Sequence, residues 1–253
     1  MTDRPLSVRR FVGTHEGKAP LQPESAPPMK RLVVLSGGQD SATCLYWALA
    51  QSESVVALTF DYGQRHRREL ESAAQIARMA GVPQQVVDLG PLFAGHSPLT
   101  DLSRQVEHYE SAETLPGGLE DTFVPARNML FLAVAANRAY VENCDSMVIG
   151  VSQEDYGGYP DCRESFLTSM EGTIFQAMER RIPIEAPLLH KNKKETVEMA
   201  AELEGCWEAL AHSHTCYEGQ FPPCGECHSC LLRSRGFREA GRVDPLLERA
   251  THG

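Results

Sequence analysis

The feature that most constrains the fold is the stretch 31–50, which reads RLVVLSGGQDSATCLYWALA. Its opening residues 32–35 are aliphatic and largely β-branched, too few for a helix and apolar on both faces, which is typical of a strand buried in a parallel sheet. Gly37 and Gly38 follow, and they let the backbone approach a ligand with no Cβ in the way. An apolar-rich helix comes next. Because its unpaired N–H groups and the positive end of its dipole point into the glycine turn, the stretch predicts an anion site.

The turn itself is neither of the two commonest phosphate-binding motifs, since both GxxxxGK[ST] and GxGxxG are absent. Residues 36–41 read SGGQDS. This is similar to the SGGxDS pyrophosphate loop of the ATP pyrophosphatase (PP-loop) superfamily. The resemblance implies an enzyme that cleaves ATP between its α and β phosphates and transfers AMP to a carbonyl or carboxylate oxygen. The alternative is a serine- and glycine-rich turn that binds nothing.

Length, charge and hydropathy limit the other possibilities. A chain of 253 residues can bury a full core and hold one domain with a small appendage, or two small domains. Its net charge of −10 disfavours nucleic-acid binding and favours small-molecule substrates. No apolar run approaches the roughly 20 residues that span a bilayer. Residues 1–28 carry five prolines and no apolar periodicity. We expect them to be a disordered extension, or the product of a misplaced start codon, before an enzyme that begins near Met29.

Strand and helix patterns alternate along the rest of the chain. After the first strand and helix, strands are predicted at 54–60, 85–89, 147–151 and 182–187, and helices at 65–80, 128–142, 163–181 and 193–204. This order predicts an α/β fold with a doubly wound, parallel, five-stranded sheet of Rossmann-like type over residues 29–205. The PP-loop resemblance implies that this is an ATP-binding domain. Ligands of such sheets bind beyond the carboxyl ends of the strands, where SGGQDS, DYGQ (61–64) and QEDYGGYPDC (153–162) all fall.

Two further segments bear on this site. The connection 92–122 is turn-rich and polar, and a connection of that length in a compact domain usually covers an active site. The four residues RHRR at 65–68 open the second helix. They are interpreted as a solvated helix face in preference to a phosphate-binding cluster.

Four of the eight cysteines crowd together near the C-terminus. Cys216, Cys224, Cys227 and Cys230 follow the pattern C-x7-C-x2-C-x2-C, which lets four thiolates close a tetrahedron around one ion. We expect a structural zinc in a C-terminal region of residues 206–253. An iron–sulfur cluster is the main alternative, and four free thiols the weaker one. Three histidines could replace a thiolate but are more typical of pocket or supporting residues: His212, His214 and His228. With no secretory signal, the pattern favours a reducing cytoplasm over disulfides.

Seven stretches in order resemble one family, the 7-cyano-7-deazaguanine synthases (QueC) of queuosine biosynthesis, from residue 30 to 245. They are VVLSGGQDSATCLYWAL, ALTFDYGQRHRREL, DTFVPARNMLFLAVAA, GVSQEDYGGYPDCRESF, APLLHKNKKET, HTCYEG and CGECHSCLLRSRGF. The chain departs from the family at Ala126, where glycine is usual, at Glu154, where threonine is common, and at His190 and Lys191, in a stretch that is usually more apolar. The departures concern the pocket and leave the pyrophosphate loop and the cysteines intact.

The resemblance implies a homodimeric enzyme that converts 7-carboxy-7-deazaguanine, ammonia and ATP with Mg²⁺ into the nitrile, through an adenylated carboxylate and an amide. ATP contacts are expected from Leu35, Ser36, Gly37, Gly38, Gln39, Asp40, Ser41 and Thr43. Asp40 and Ser41 are also assigned to catalysis, with Asp40 as a candidate Mg²⁺ ligand. Lys193, ahead of Lys191, would offset phosphate charge, unless either is an ordinary helix-start lysine.

Arg127 would clamp a carboxylate or a phosphate. Asp155, Tyr159 and Asp161 are expected to hold the deazaguanine, whose N1–H and exocyclic amine suit a carboxylate. Asp161 has a second interpretation as a helix cap.

Three alternatives remain at this point. A related ligase would couple the same acid to a protein or another amine instead of ammonia. A zinc-stabilised nucleotide-binding module without turnover would not need the intact SGGQDS. An enzyme that thiolates tRNA would need a basic face, which the net charge opposes.

Overall fold

The computed structural model describes residues 29–116, 119–154 and 158–252. The prediction for the first 28 residues therefore lies outside the described part of the chain, and so does Asp155.

The core of the protein is a five-stranded parallel sheet with the order β3-β2-β1-β4-β5. Its strands are β1 (Lys30–Val34), β2 (Ser54–Asp61), β3 (Gln84–Asp88), β4 (Ser146–Val148) and β5 (Ile184–Glu185). All four pairings are parallel. The predicted doubly wound sheet is thus confirmed. Because the chain leaves β1 towards β2 and later returns to place β4 on the other side of β1, the strand order reverses between β1 and β4.

Eight helices accompany the sheet in the described residues. They are α1 (Gln39–Ala50), α2 (Arg68–Met79), α3 (Arg127–Val141), α4 (Glu164–Met178), α5 (Lys193–Glu202), α6 (Cys206–Leu210), α7 (His228–Glu239) and α8 (Pro245–His252). No described helix is both long enough and apolar enough to cross a bilayer.

Alternate side chains of β1, β2 and β4 enter two separate hydrophobic clusters, as period-2 geometry requires. Leu32 and Val34 of β1 pack with α3 and α4 on one face of the sheet. Val33 and Leu35 pack with α1, α2, α5 and α6 on the other face. Both faces are therefore covered at the centre of the sheet, which explains why the predicted strand at 32–35 is apolar throughout.

The C-terminal region packs on the same core. Cys206 and Leu210 of α6 and Phe237 of α7 belong to the cluster that contains α1. Arg233 forms a buried two-point ion pair with Asp244, at 2.6 Å from Nε and 2.8 Å from the second guanidinium nitrogen. A domain boundary at residue 205 stays a prediction, since these contacts join the segment to the sheet domain.

Element boundaries differ from the sequence predictions in two informative places. The second helix begins at Arg68 and not at residue 65. The backbone N–H of Arg65 donates to the carbonyl of Leu99 at 2.8 Å, which ties this residue to the long connection. Ala126, which precedes α3, has a φ of 60°. A left-handed conformation of this kind favours glycine, which gives a physical reason for the glycine usual in the family at this point.

Candidate active site

One cavity of about 280 Å³ lies at the carboxyl edge of the sheet, where β1 and β4 separate. The glycine turn after β1, the segment after β2, the first turn of α3 and the loop after β4 form most of its wall. Residues 214–217 and the start of α7 close the remaining side. The strand reversal has therefore placed the predicted anion turn in a concave site shared by six segments.

Hydroxyl groups hold the glycine turn in shape. Ser41 Oγ donates to the carbonyl of Gly38 at 3.1 Å and accepts from the N–H of Ser36 at 3.2 Å. Gly37 has a φ of 94°, and a Cβ there would clash with the Glu69 carbonyl and lie 2.7 Å from the N–H of Ala73. Only glycine fits at this position, because the start of α2 packs directly against the glycine turn.

The C-terminal region also contacts the turn. The N–H of His214 donates to the carbonyl of Gly37 at 2.8 Å. A Cβ on Gly38 would stand 3.4 Å from the Thr215 side chain. Ser229 Oγ in turn donates to the carbonyl of Thr215 at 2.5 Å. The conformation of the glycine turn therefore depends on the cysteine-bearing segment as well as on β1.

Gly150, two residues after β4, provides a test of this packing. A Cβ there would lie 2.9 Å from both the carbonyl carbon of Asp40 and the nitrogen of Ser41. Gly150→Ala is expected to displace the first turn of α1, raise the KM for ATP about tenfold and lower the free energy of unfolding by about 1–3 kcal/mol. ATP titration and thermal unfolding measure both effects.

The matched control is Gly172→Ala in α4, where nothing lies within 4 Å of an added Cβ. This variant is expected to keep the wild-type KM and to gain up to about 1 kcal/mol of stability, because alanine is the better helix former. A wild-type KM for ATP in Gly150→Ala would contradict the packing argument.

Asp40 and Lys193 form an ion pair across the cavity wall. Lys193 Nζ lies 2.7 Å from Asp40 Oδ2, and their side chains are 11% and 29% exposed. Asp40 Oδ1 is buried and has no protein hydrogen-bond partner among the described residues. A Cβ on Gly236 of α7 would lie 2.7 Å from the Lys193 Cβ, so α7 packs closely on the start of α5. The lysine is therefore held rigidly beside the first turn of α1.

A second cation, Arg127, lines the same cavity. Burial alone would lower its pKa, but Tyr62, Tyr217 and Asp161 raise it, and Arg127 hydrogen-bonds to Tyr62. Burial in turn raises the pKa of Tyr62 and of Tyr217. The site thus presents a permanent guanidinium between two neutral phenols, an arrangement that binds anions such as carboxylates and phosphates.

A series of buried polar contacts joins residues 92–122 to the C-terminal region and to the loop after β4. His228 Nε2 lies 3.0 Å from Glu120 Oε1. Thr122 Oγ1 donates to the other Glu120 oxygen at 3.2 Å and lies 2.7 Å from the Tyr159 hydroxyl. Leu99 of the same connection lines the cavity. The prediction that residues 92–122 cover the site accords with these contacts.

The four cysteine thiols of the C-terminal region lie within 4.8 Å of one another. Cys224 Sγ and Cys230 Sγ are 3.9 Å apart, close to the edge of about 3.8 Å that Zn–S bonds of about 2.3 Å give a tetrahedron. Hydrogen bonds from Cys227 and Cys230 lower the pKa of Cys216. The hydrogen bond with Cys216 raises the pKa of Cys227 to about 11. Four thiolates this close need a cation, and the donor set fits a tetrahedral metal ion.

Most of the predicted site residues line the cavity: Leu35, Ser36, Gly38, Gln39, Asp40, Ser41, Arg127, Tyr159 and Lys193. Gly37 lies behind the turn, against α2. Thr43 lies within α1, and its hydroxyl donates to the Gln39 carbonyl of the same helix at 2.9 Å. The ATP-binding role of Thr43 therefore stays a prediction that no contact supports.

Asp161 also lies away from the cavity lining. Its buried Oδ2 accepts from the N–H of Asn128 at 3.1 Å, near the start of α3. This contact resembles the predicted cap, although on α3 and not on the helix that follows Asp161. Its role in binding the base stays a prediction, as does that of Asp155, which lies outside the described residues.

Glu69 lines the cavity although no sequence pattern singled it out. Tyr62 also lines the cavity, as part of the DYGQ stretch that was expected at this edge of the sheet.

The interpretation of RHRR as a solvated helix face is wrong for Arg65 and His66, which line the cavity, whereas Arg67 and Arg68 are exposed. The signal available for His66 was its position two residues after DYGQ, at a strand end. His214 and His228 line the cavity, in agreement with their interpretation as pocket residues.

A doubly wound parallel sheet that presents an SGGxDS turn, a fixed lysine and a fixed arginine to one cavity defines the class of ATP-using PP-loop proteins. Over residues 30–241 the chain matches the family described as "Queuosine biosynthesis protein QueC", and it belongs to that family.

Relatives with curated names are similar over most of the chain. A protein of Chromobacterium violaceum named 7-cyano-7-deazaguanine synthase is 51% identical over 224 residues, which cover 87% of this chain and 94% of the relative. Proteins of the same name are 50% identical in Laribacter hongkongensis, over 88% of this chain and 96% of the relative, and 46% identical in Gloeobacter violaceus, over 86% and 95%. The match spans nearly the full length of each relative.

Proposed function

We propose that this protein is an ATP-dependent ligase that converts 7-carboxy-7-deazaguanine and ammonia into 7-cyano-7-deazaguanine, in queuosine biosynthesis. The observation that carries the proposal is the juxtaposition, in one cavity, of the SGGQDS turn with its Lys193–Asp40 pair and the buried guanidinium of Arg127. The first group suits a triphosphate and the second suits a substrate carboxylate.

The chemical problem is that a carboxylate oxygen is a poor leaving group. Transfer of AMP to that oxygen lets it depart as a phosphate ester, so ammonia can form the amide. A second transfer, to the amide oxygen, permits elimination to the nitrile. Each transfer expels pyrophosphate, whose growing charge fixed N–H dipoles and a lysine can stabilise without reorganisation.

The position of each residue in the cavity indicates its role in this chemistry. The glycine turn and the N-terminus of α1 would cradle the phosphates, and Lys193 would offset the charge of the departing pyrophosphate. Lys191 is the weaker candidate, because it does not line the cavity. Asp40 would hold Mg²⁺ through Oδ1, the oxygen that the lysine leaves without a described partner. Arg127 would fix the carboxylate of the base, with Tyr159 beside it.

The four cysteines would hold a structural zinc. A closed set of four thiolates leaves no open coordination position, so the ion would fix residues 214–230 and contribute no reacting group. Cytoplasmic location, a homodimeric state and the absence of direct nucleic-acid binding belong to the same proposal. The acidic net charge of −10 supports the last of these.

Product analysis tests the function. The purified protein, incubated with ATP, Mg²⁺, the carboxylic acid and ammonium, is expected to release two AMP and two pyrophosphate for each nitrile formed. Release of ADP would refute the adenylation chemistry. Replacing ammonium with a primary amine examines the rival ligase: an amine-linked product formed faster than the nitrile would favour that alternative.

A further inference from the structure

Glu69 lines the cavity but has no role in the proposed adenylation steps. It lies in the first turn of α2, and its backbone carbonyl packs against Gly37 of the glycine turn. Its side chain lines the same cavity as Ser36, Asp40 and Arg127. The carboxylate is therefore fixed by a helix at the junction between the phosphate-binding turn and the guanidinium.

The two carboxylates that line the described part of the cavity are in different situations. Asp40 is bound to Lys193 at 2.7 Å. The Glu69 carboxylate makes no hydrogen bond or ion pair with any other described residue, Cys216 included. Burial raises the pKa of Glu69 to about 7, while the charge of Arg127 lowers it and that of Cys216 raises it. A carboxylate with such a pKa exchanges protons readily near neutral pH.

Several charged and titratable groups interact with Glu69 or line the same cavity. They are Tyr62 after β2, Arg127 on α3, Cys216 of the cysteine cluster, Arg65 and His66 on the segment before α2, and Asp40 with Lys193.

We propose that Glu69 is the catalytic proton acceptor for the nitrogen in both halves of the reaction, an assignment that rests on the proposed function. In the first half, ammonia forms a C–N bond to the adenylated carbonyl carbon, the C=O electron pair moves onto oxygen, and an N–H proton passes to the Glu69 carboxylate. The C=O bond then re-forms as the bond from carbon to the AMP oxygen breaks, and AMP leaves with its electron pair. The products are the amide, AMP and protonated Glu69, which returns its proton to water.

The second half needs the same group. AMP now sits on the amide oxygen, and the nitrogen, as C=NH₂⁺, carries two protons that the nitrile lacks. Glu69 accepts one of them. The second goes to the departing AMP phosphate as the C–O bond breaks and the C≡N bond forms. An acceptor on the nitrogen side is required in each half, and Glu69 is the cavity carboxylate without a described partner.

The test separates adenylation from proton transfer in the variant Glu69→Gln. Pyrophosphate release from ATP and the carboxylic acid, without ammonia, is expected to stay within about threefold of wild type. Nitrile formation from the synthetic amide and ATP, which needs no ammonia, is expected to fall about 100- to 10,000-fold. In wild type this second rate should decline as the pH drops below about 7, because protonated Glu69 cannot accept. Glu69→Gln should lack that limb, and Glu69→Asp should recover part of the rate.

The matched control is Glu71→Gln, the same change two residues away on the exposed side of α2, which should match wild type in both assays. A parallel loss of adenylation and nitrile formation in Glu69→Gln would overturn the assignment and make Glu69 a binding residue, and so would an unchanged pH profile. If wild type itself forms no nitrile from the amide, the proposed function fails, and that result is visible without any variant.

Discussion

Lys193→Met is expected to lower ATP-dependent turnover by about 100- to 1,000-fold, the usual cost of removing one group that stabilises transition-state charge. Lys193 Nζ lies 2.7 Å from Asp40 Oδ2, at the N-terminus of the helix that follows the glycine turn. This ammonium therefore lies beside the turn that would hold ATP, and no other described lysine lines the cavity. Steady-state kinetics with pyrophosphate detection measures the loss, which should appear in kcat more than in the KM for the acid.

The chain supplies a close control for this experiment. Lys194 is the next residue, its side chain is 46% exposed, and its ion pair is with Glu198 one turn away at 3.6 Å. Lys194→Met removes the same charge from the same helix and should keep activity within about twofold, because exposed pairs of this kind contribute little. Equal losses in the two variants would show that Lys193 acts only through helix stability or net charge.

Stability provides a second check on the same pair. Lys193→Met leaves the Asp40 carboxylate without its cation, which should cost about 1–2 kcal/mol of unfolding free energy. Adding Asp40→Asn removes the unpaired charge and should recover most of that stability. The double variant should nevertheless remain inactive, which would show that the loss of turnover does not result from the loss of stability.

The fold could be predicted from sequence because its signals are local. The apolar run of β1, the glycines after it and the 3.6-residue period of the helices each lie within one short segment, and parallel strands must be joined by crossovers. The predicted helix start at residue 65 was wrong, since the helix begins at Arg68. Arg65 bonds instead to Leu99, 34 positions away, a contact that no local pattern reveals.

The site was predictable only where a motif carried it. The SGGQDS turn and the four cysteines have fixed spacing, and both come together as expected. Glu69 has no such signature: its environment depends on burial beneath α3 and the C-terminal region, segments far away in the chain. The contact between His228 and Glu120 likewise joins residues 108 positions apart. Charge and burial at such positions exist only after folding.

Cys227→Ser is expected to have the largest effect on stability. Cys227 is fully buried, and its thiol belongs to the cluster whose sulfur atoms all lie within 4.8 Å. A serine in that place should release the metal and lower the melting temperature by about 10 °C or more, because binding free energy of a structural ion is folding free energy. Differential scanning calorimetry and elemental analysis of the same sample report the two losses together.

The metal analysis also decides between zinc and iron. One zinc per wild-type chain, with no visible absorption band, is the expected result, whereas iron with inorganic sulfide would replace the zinc proposal by the iron–sulfur alternative. Cys144→Ala is the control, since this cysteine is also fully buried but lies outside the cluster. It should keep the full metal content and lose about 1 kcal/mol of stability.

Loss of the metal should also weaken ATP binding. Cys216 lies two residues from His214, whose N–H donates to Gly37, and Thr215 between them packs on Gly38. Once the cluster no longer fixes this segment, the glycine turn loses one wall, so the KM for ATP in folded Cys227→Ser should rise about tenfold or more. Chelation of wild type should reproduce both effects, and added zinc should reverse them. Normal ATP affinity in metal-free protein would mean that the cluster stabilises the C-terminal region alone.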